Sequence, residues 1–289
     1  MLRFLPLSQS DPSKVLQQRE KAVQLARALG IAPRIARLLF ARGVADAAEA
    51  EAFLHPSADM LCDPFAFQDM GKAVARIARA IQERERICIY GDYDVDGVCA
   101  TSILLLYLRS CGAEVSYHIP SRHAEGYGMN LGAVERLAAE DVKLILTVDN
   151  GVKANAELAR CRELGMDAIV TDHHLPGDAL PKCEAILCHT VPGCAYPNRH
   201  ICGAGTAFKL VEALGGRVAA LPYVALAGLA TVADVVPLTG ENRVFAALAL
   251  AAVNRGECPL GLSALVEAAF EKKRALTARD FAFAIAPRL

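Results

Sequence analysis

Three aspartates, Asp92, Asp94 and Asp96, alternate along the stretch GDYDVDG, directly after the apolar run RICIY. Carboxylates held that close repel one another and stay ionised together only with donors or a cation between them. The same pattern of an apolar run followed by polar groups occurs twice more. Asp149, Asn150 and Gly151 follow LILTV, and Asp172, His173 and His174 follow AIVT. A fourth acid, Asp234, is the only charged residue of LAGLATVADVVPL, which reads as a helix. A carboxylate buried there is costly unless it is paired or coordinates a cation.

Each feature alone has an ordinary explanation. DNG is a common turn after a strand, HH a polar loop, and DxDxD a solvated loop. Occurring together at three strand ends and in one apolar helix, they point to a metal site. Carboxylates with one or two imidazoles and no thiolate suit Mn²⁺ or Mg²⁺, and the imidazoles favour Mn²⁺. The acids exceed the needs of one divalent ion, so two ions sharing a carboxylate balance the charge better. Such a pair suits in-line displacement at phosphorus, the reaction of many nucleases and phosphatases.

The elements that must position these groups are legible in the periodicity. Residues 12 to about 54 read as helices, with Asp11 as an N-cap, Pro12 in the first turn and Gly30 as a stop. From about residue 70 helices and short β-rich runs alternate: helix 71–84, strand RICIY, a helix from Gly97 to about Ser110, strand EVSYHI, helix 131–140, strand KLILTVD, helix 153–164, strand DAIVTD and a weaker strand EAILCH. This alternation predicts an α/β fold built on a buried parallel sheet, with ligands beyond the carboxyl ends of its strands. From Gly205 onward the chain reads as helical again.

The 289-residue chain has a formal net charge of −1. That is a weak footprint for a duplex-DNA binder, so contact with a polyanion needs local positive charge or bound cations. Cys183, Cys188, Cys194 and Cys202 cluster with His189 and His200 without a C-x-x-C pair, and read as thiols rather than a zinc site. No apolar run approaches the roughly 18 residues of a membrane span, and the N-terminal apolar stretch is too short for a secretory signal. The expected location is the cytoplasm, with no membrane partner.

In order, GDYDVDG, VDNG, TDHH and LATVADVVPL resemble the four motifs of the DHH phosphoesterase superfamily. The first motif, in its form YGDYDVDGVCATS, is similar to that of the RecJ-type single-stranded-DNA-specific exonucleases. So are IPSRHAEGYGMN, CGAGTAFKLVEAL and the N-terminal ARGVADAAEAEAFLHPS. The resemblance covers nearly the whole chain. It implies a DHH phosphoesterase domain with helices on both faces of the sheet at 69–240, a helical extension at 1–68, and a helical region at 241–289.

The resemblance further implies that Asp94, Asp96, Asp149, His173 and Asp234 are metal ligands, with Asp149 bridging two cations, Mn²⁺ preferred or Mg²⁺. Asp92 and Asp172 would support them, and His174 would face the scissile phosphate. Arg122 would help hold a 5′ phosphate, and Gly203 and Gly205 would let backbone N–H groups approach one. The implied activity is hydrolysis of single-stranded DNA from the 5′ end, in repair and recombination. The implied state is a monomer, with a repair helicase or a single-strand-binding protein as partners. Family members run on into a second domain that closes the cleft, whereas this chain ends at FAFAIAPRL and reads as the catalytic part cut short, with low activity expected. A DHH phosphatase of small substrates or short oligoribonucleotides is the alternative enzyme, but its first motif carries a histidine where Tyr90 stands here. A non-catalytic scaffold is the third reading.

Overall fold

The computed structural model describes residues 12–44, 46–122, 125, 126, 128–272 and 274–289. Asp11, expected as an N-cap, lies outside the described residues. The chain divides into two compact units, one ending at Ser57 and the other running from Ala58 to Leu289.

The first unit contains α1 (Pro12–Leu29), α2 (Pro33–Ala41) and α3 (Ala47–Leu54). Proline opens α1 and α2, where its missing N–H would have no intrahelical partner. Asp46 caps α3 by accepting the Glu49 N–H at 2.8 Å. Small and branched apolar residues, among them Ala22, Leu25, Ala36 and Leu39, form its core.

The second unit alternates helix and strand: α4 (Met70–Gln82), β1 (Arg86–Tyr90), α5 (Val95–Ser110), β2 (Val115–His118), α6 (Leu131–Ala139), β3 (Val142–Val148), α7 (Asn155–Glu163), β4 (Asp167–Asp172) and β5 (Ala185–Cys188). The helices α8 (Gly203–Gly215), α9 (Arg217–Ala220), α10 (Val224–Ala233), α11 (Gly240–Arg255) and α12 (Leu260–Ala269) follow. The five strands form one sheet in the order β2-β1-β3-β4-β5, every pairing parallel. Side chains alternate across it with the two-residue period of a strand. Ile87 and Ile89 face the core shared with α4, α5, α8 and α10, while Cys88 and Tyr90 face the core shared with α6 and α7. The parallel α/β fold with helices on both faces is therefore present.

The strand order reverses between β1 and β3, which opens a crevice beyond their carboxyl ends. Tyr90 is in register with Thr147, and Val148 with Thr171. The polar groups that follow β1, β3 and β4 consequently emerge side by side at one rim.

Two boundaries differ from expectation. Helix α5 starts at Val95, two residues before Gly97, because the Asp94 side chain accepts the Gly97 N–H at 2.9 Å and so caps the helix. The stretch LAGLATVADVVPL is not helical throughout. A 3₁₀ turn spans Leu221–Tyr223, α10 ends at Ala233, and Val235 takes a φ of 58° that breaks the helical path. Asp234 is thus the C-cap of α10, half-buried, rather than a carboxylate within a helix.

Candidate metal centre

What holds the acids of GDYDVDG together is first of all the chain itself. Asp94 is the N-cap of α5 and Asp96 lies in its first turn. Asp96 is buried, and its two carboxylate oxygens accept the N–H groups of Gly203 at 2.6 Å and Ala204 at 2.8 Å. The partial positive ends of two helices, α5 and α8, therefore converge on this stretch. Asp92 is buried beside them and accepts the Tyr93 N–H at 2.8 Å.

Asp149 follows β3 with a φ of 61°, a conformation that asparagine and aspartate tolerate better than branched residues. Its N–H donates to the Thr171 carbonyl at 3.0 Å, which ties it to β4. Asn150 braces the neighbouring loop: its Nδ2 donates to the carbonyls of Gly91 at 3.0 Å and Val148 at 2.9 Å. The arrangement is tight. A Cβ on Gly203 would stand 2.8 Å from the Asp149 Cβ, so only glycine lets α8 begin against Asp149.

The imidazoles close the site from β4. His173 Nε2 lies 2.9 Å from Asp149 Oδ1 and 3.6 Å from Asp96 Oδ2, and its Nδ1 lies 3.8 Å from Asp234 Oδ2. His174 Nδ1 is 2.8 Å from Asp172 Oδ1. Asp172 also accepts the N–H groups of Val152 at 2.9 Å, His173 at 2.7 Å and His174 at 3.0 Å. Asp172 is saturated by donors of the protein and orients His174.

Among the described residues, three groupings have one donor atom from each residue, all within 4.8 Å of one another: Asp149 with His173 and His174, Asp96 with His173 and Asp234, and Asp92 with Asp94 and Asp149. Asp149 and His173 each belong to two of them. Asp92, expected only as a supporting acid, stands among potential donors beside Asp94.

The electrostatics fit a cation. Burial, then repulsion from Asp96, Asp94, Asp172 and Asp92, pushes the Asp149 carboxyl well above its ordinary value. Burial raises Asp96 and Asp92 as well. Asp234 rises to about 6 through burial and the nearby Asp96, at the end of a helix whose dipole also disfavours an anion. For Asp172 burial acts upward, but the His174 ring and the Val152 and His174 amides outweigh it and hold the carboxyl below its usual range. The bond to Asp172 raises the His174 imidazole despite burial. Oxygen donors with imidazole, destabilised as neighbouring anions, are a donor set for a hard or borderline divalent cation.

The other expected site residues lie around this cluster. The Arg122 guanidinium sits 4.5 Å over the Tyr93 ring, next to the acidic loop, and its charge acts on Asp92. Gly203 and Gly205, expected to offer amides to a phosphate, have other duties. The Gly203 N–H is already bonded to Asp96, and Gly205 makes room for Ile201, whose Cγ1 would meet a Cβ at 2.6 Å. Tyr90 lies on the α6–α7 side of the sheet, where its hydroxyl accepts from Asn130 Nδ2 at 3.1 Å, so it adds no donor to the cluster.

A second charged group underlies the site without touching it. Lys209 on α8 is fully buried, and its Nζ lies 2.8 Å from both Glu212 and Glu241 and donates to the Cys62 carbonyl at 2.6 Å. Tyr196 donates to Glu241 at 2.8 Å. Sequence reading assigned no role to Lys209, and its separation from Glu241 along the chain gives no local signal.

A parallel sheet with acids at the reversal of strand order and a DHH run at the end of the adjoining strand defines a recognisable class. The profile of the DHH family N-terminal domain matches residues 86–233, just over half of the chain, and the chain belongs to the DHH family. Within it the similarity is to RecJ proteins. The chain is 41% identical over 273 residues to the single-stranded-DNA-specific exonuclease RecJ of Bacillus subtilis, a match covering 94% of this chain and 34% of that protein. The Escherichia coli RecJ is 37% identical over 272 residues, covering 89% of this chain and 46% of its own length. The crystal structure of Thermus thermophilus RecJ with Mn²⁺ superposes with a TM-score of 0.77 at 32% identity, covering 94% of this chain and 38% of that one. The chain thus spans between a third and a half of these relatives. Among the described residues no helix is long and apolar enough to cross a membrane.

Proposed function

We propose that this chain is the catalytic part of a divalent-cation-dependent nuclease that hydrolyses single-stranded DNA from its 5′ end. The observation that carries the reading is the set of three donor groupings linked through Asp149 and His173. Asp94, Asp96, Asp149, His173 and Asp234 would hold two cations, Mn²⁺ in preference to Mg²⁺, with Asp149 between them. When bound, the cations supply Lewis acidity at the phosphoryl oxygen and lower the pKa of water. The relatives named RecJ, one of them solved with Mn²⁺, support this assignment.

The protein groups have separable tasks. Asp172 fixes the His174 ring through Nδ1, which leaves Nε2 on the opposite side of the ring. Its raised proton affinity suits His174 to donate to a phosphoryl oxygen as negative charge develops there. Arg122, braced on Tyr93, offers a planar fork to a terminal phosphate. Asp92 would serve as a supporting acid beside Asp94.

We also assign residues 69–240 to the catalytic domain, 1–68 to a helical extension and 241–289 to a helical region leading towards a further domain. The role in repair and recombination, the cytoplasmic location, the monomeric state, and partnership with a repair helicase or a single-strand-binding protein belong to the same proposal. Release of labelled mononucleotide from a 5′-labelled single strand in Mn²⁺ tests it. The expected result is release by the unaltered chain and none by Asp149→Ala. Equal release by both would overturn the reading.

A further inference from the structure

On the α6–α7 side of the rim lies a cavity of about 340 Å³ bounded by Met129, Val152, Lys153, Glu157 and His174. It abuts the metal centre, since Asp172 and His174 line the cavity and His174 also belongs to a donor grouping. Its outer wall, Gly128–Met129, is tied down: the Tyr90 hydroxyl donates to the Gly128 carbonyl at 3.4 Å and accepts from Asn130 at 3.1 Å. The inner wall, 150–154, is held by the Asn150 bonds to Gly91 and Val148 and by the Val152 N–H bond to Asp172. The cavity is therefore preformed, at the small end of the range for ligand sites.

We propose that this cavity is a nucleotide subsite flanking the scissile phosphate, with Lys153 contacting the neighbouring phosphate; the inference rests on the nuclease reading above. Met129, 8% exposed, gives the apolar part of the wall, and its sulfur suits contact with an aromatic ring. Among the described residues no aromatic side chain lines the cavity. Lys153 is exposed and has no ion pair among the described residues, although Glu157 lines the same cavity. Glu157 repels a phosphate from its own end. That places the neutral base towards Glu157 and the charge towards Lys153. At a rim crowded with carboxylates, Lys153 supplies local attraction on the side of His174 away from α8 and α10.

The test is binding of a short, 5′-phosphorylated, phosphorothioate-linked oligothymidylate in Mn²⁺, followed by fluorescence anisotropy across a salt series. Lys153→Glu should weaken binding about tenfold, the loss of one charge-assisted contact. It should also reduce the slope of log K against log salt by about 0.7, the value for one phosphate on a single strand. Lys153→Arg should retain both. Thymidine monophosphate should shift the ¹³C-methyl resonance of Met129 in the unaltered chain. If the unaltered chain binds the strand while Lys153→Glu keeps its affinity and slope, or Met129 does not respond, the subsite is wrong and the nuclease reading stands. If the unaltered chain binds no strand, both fall together.

Discussion

His173 Nε2 lies 2.9 Å from Asp149 Oδ1, and Asp149 is held at a φ of 61° on a buried turn. The pair links the ends of β4 and β3, beside the reversal of strand order, and between them the two residues belong to all three donor groupings found among the described residues. It is the hinge of the chemistry and also its weakest point without a cation, because burial and four neighbouring acids oppose ionisation of Asp149.

Removing that carboxylate should separate stability from activity. Asp149→Asn keeps the backbone conformation but relieves the repulsion, so the metal-free protein should melt at a higher temperature than the unaltered chain. Cation at a hundredfold excess over its Kd should stabilise the unaltered chain by about 2.7 kcal/mol and the variant far less. Hydrolysis should fall by about 10³-fold, the cost of losing several kcal/mol of charge stabilisation. Thermal melts with and without Mn²⁺, beside a cleavage assay, check all three.

Gly203→Ala places a Cβ 2.8 Å from that of Asp149. The start of α8 must then move away from Asp96, which costs about 1–3 kcal/mol by overpacking. Cation affinity should fall with stability. Urea unfolding and calorimetric titration with Mn²⁺ would show both losses, and a variant with undiminished affinity would contradict the close approach.

Lys209→Met leaves Glu212 and Glu241 buried beside an apolar side chain. Breaking a buried network in this way costs about 3–5 kcal/mol. The urea midpoint should drop with little change in slope. A double substitution that also makes Glu241→Gln should recover part of the loss, because one orphaned charge is removed.

His189 is buried, and burial, followed by the neighbouring His173, His200 and Arg199 charges, holds its imidazole down at about 4. The folded state keeps it neutral, whereas the unfolded chain protonates it near 6.5. Its contribution is therefore complete above about pH 6.5 and is lost as pH falls from 6.5 towards 4, by up to ~3 kcal/mol. The raised Asp234 has the opposite sign between about 4 and 6. Comparing unfolding of the unaltered chain with His189→Gln over this range isolates the histidine: the variant should lack the acid loss.

The strands were legible in the sequence because each is a short apolar run with punctuation at both ends, and DAIVTD coincides with β4. The rim residues were legible because chemistry recurs at the ends of those runs. Asp234 was placed less well. Pro237 in VADVVPL signals a stop but not its place, and the helix already ends at Ala233, before Val235 adopts a φ of 58°. Gly203 announced a close approach but not its object, which is Asp149 rather than a ligand. Lys209 was invisible as an ion-pair centre because Glu241 comes from α11.

The grouping of Asp96, His173 and Asp234 draws on segments after β1, after β4 and at the end of α10. A nascent chain leaving the ribosome carries the first of these long before the last. Until residue 234 has emerged and α10 has docked, the third wall of that cage does not exist. Any cation that this grouping holds is therefore captured only after α10 has joined the completed sheet.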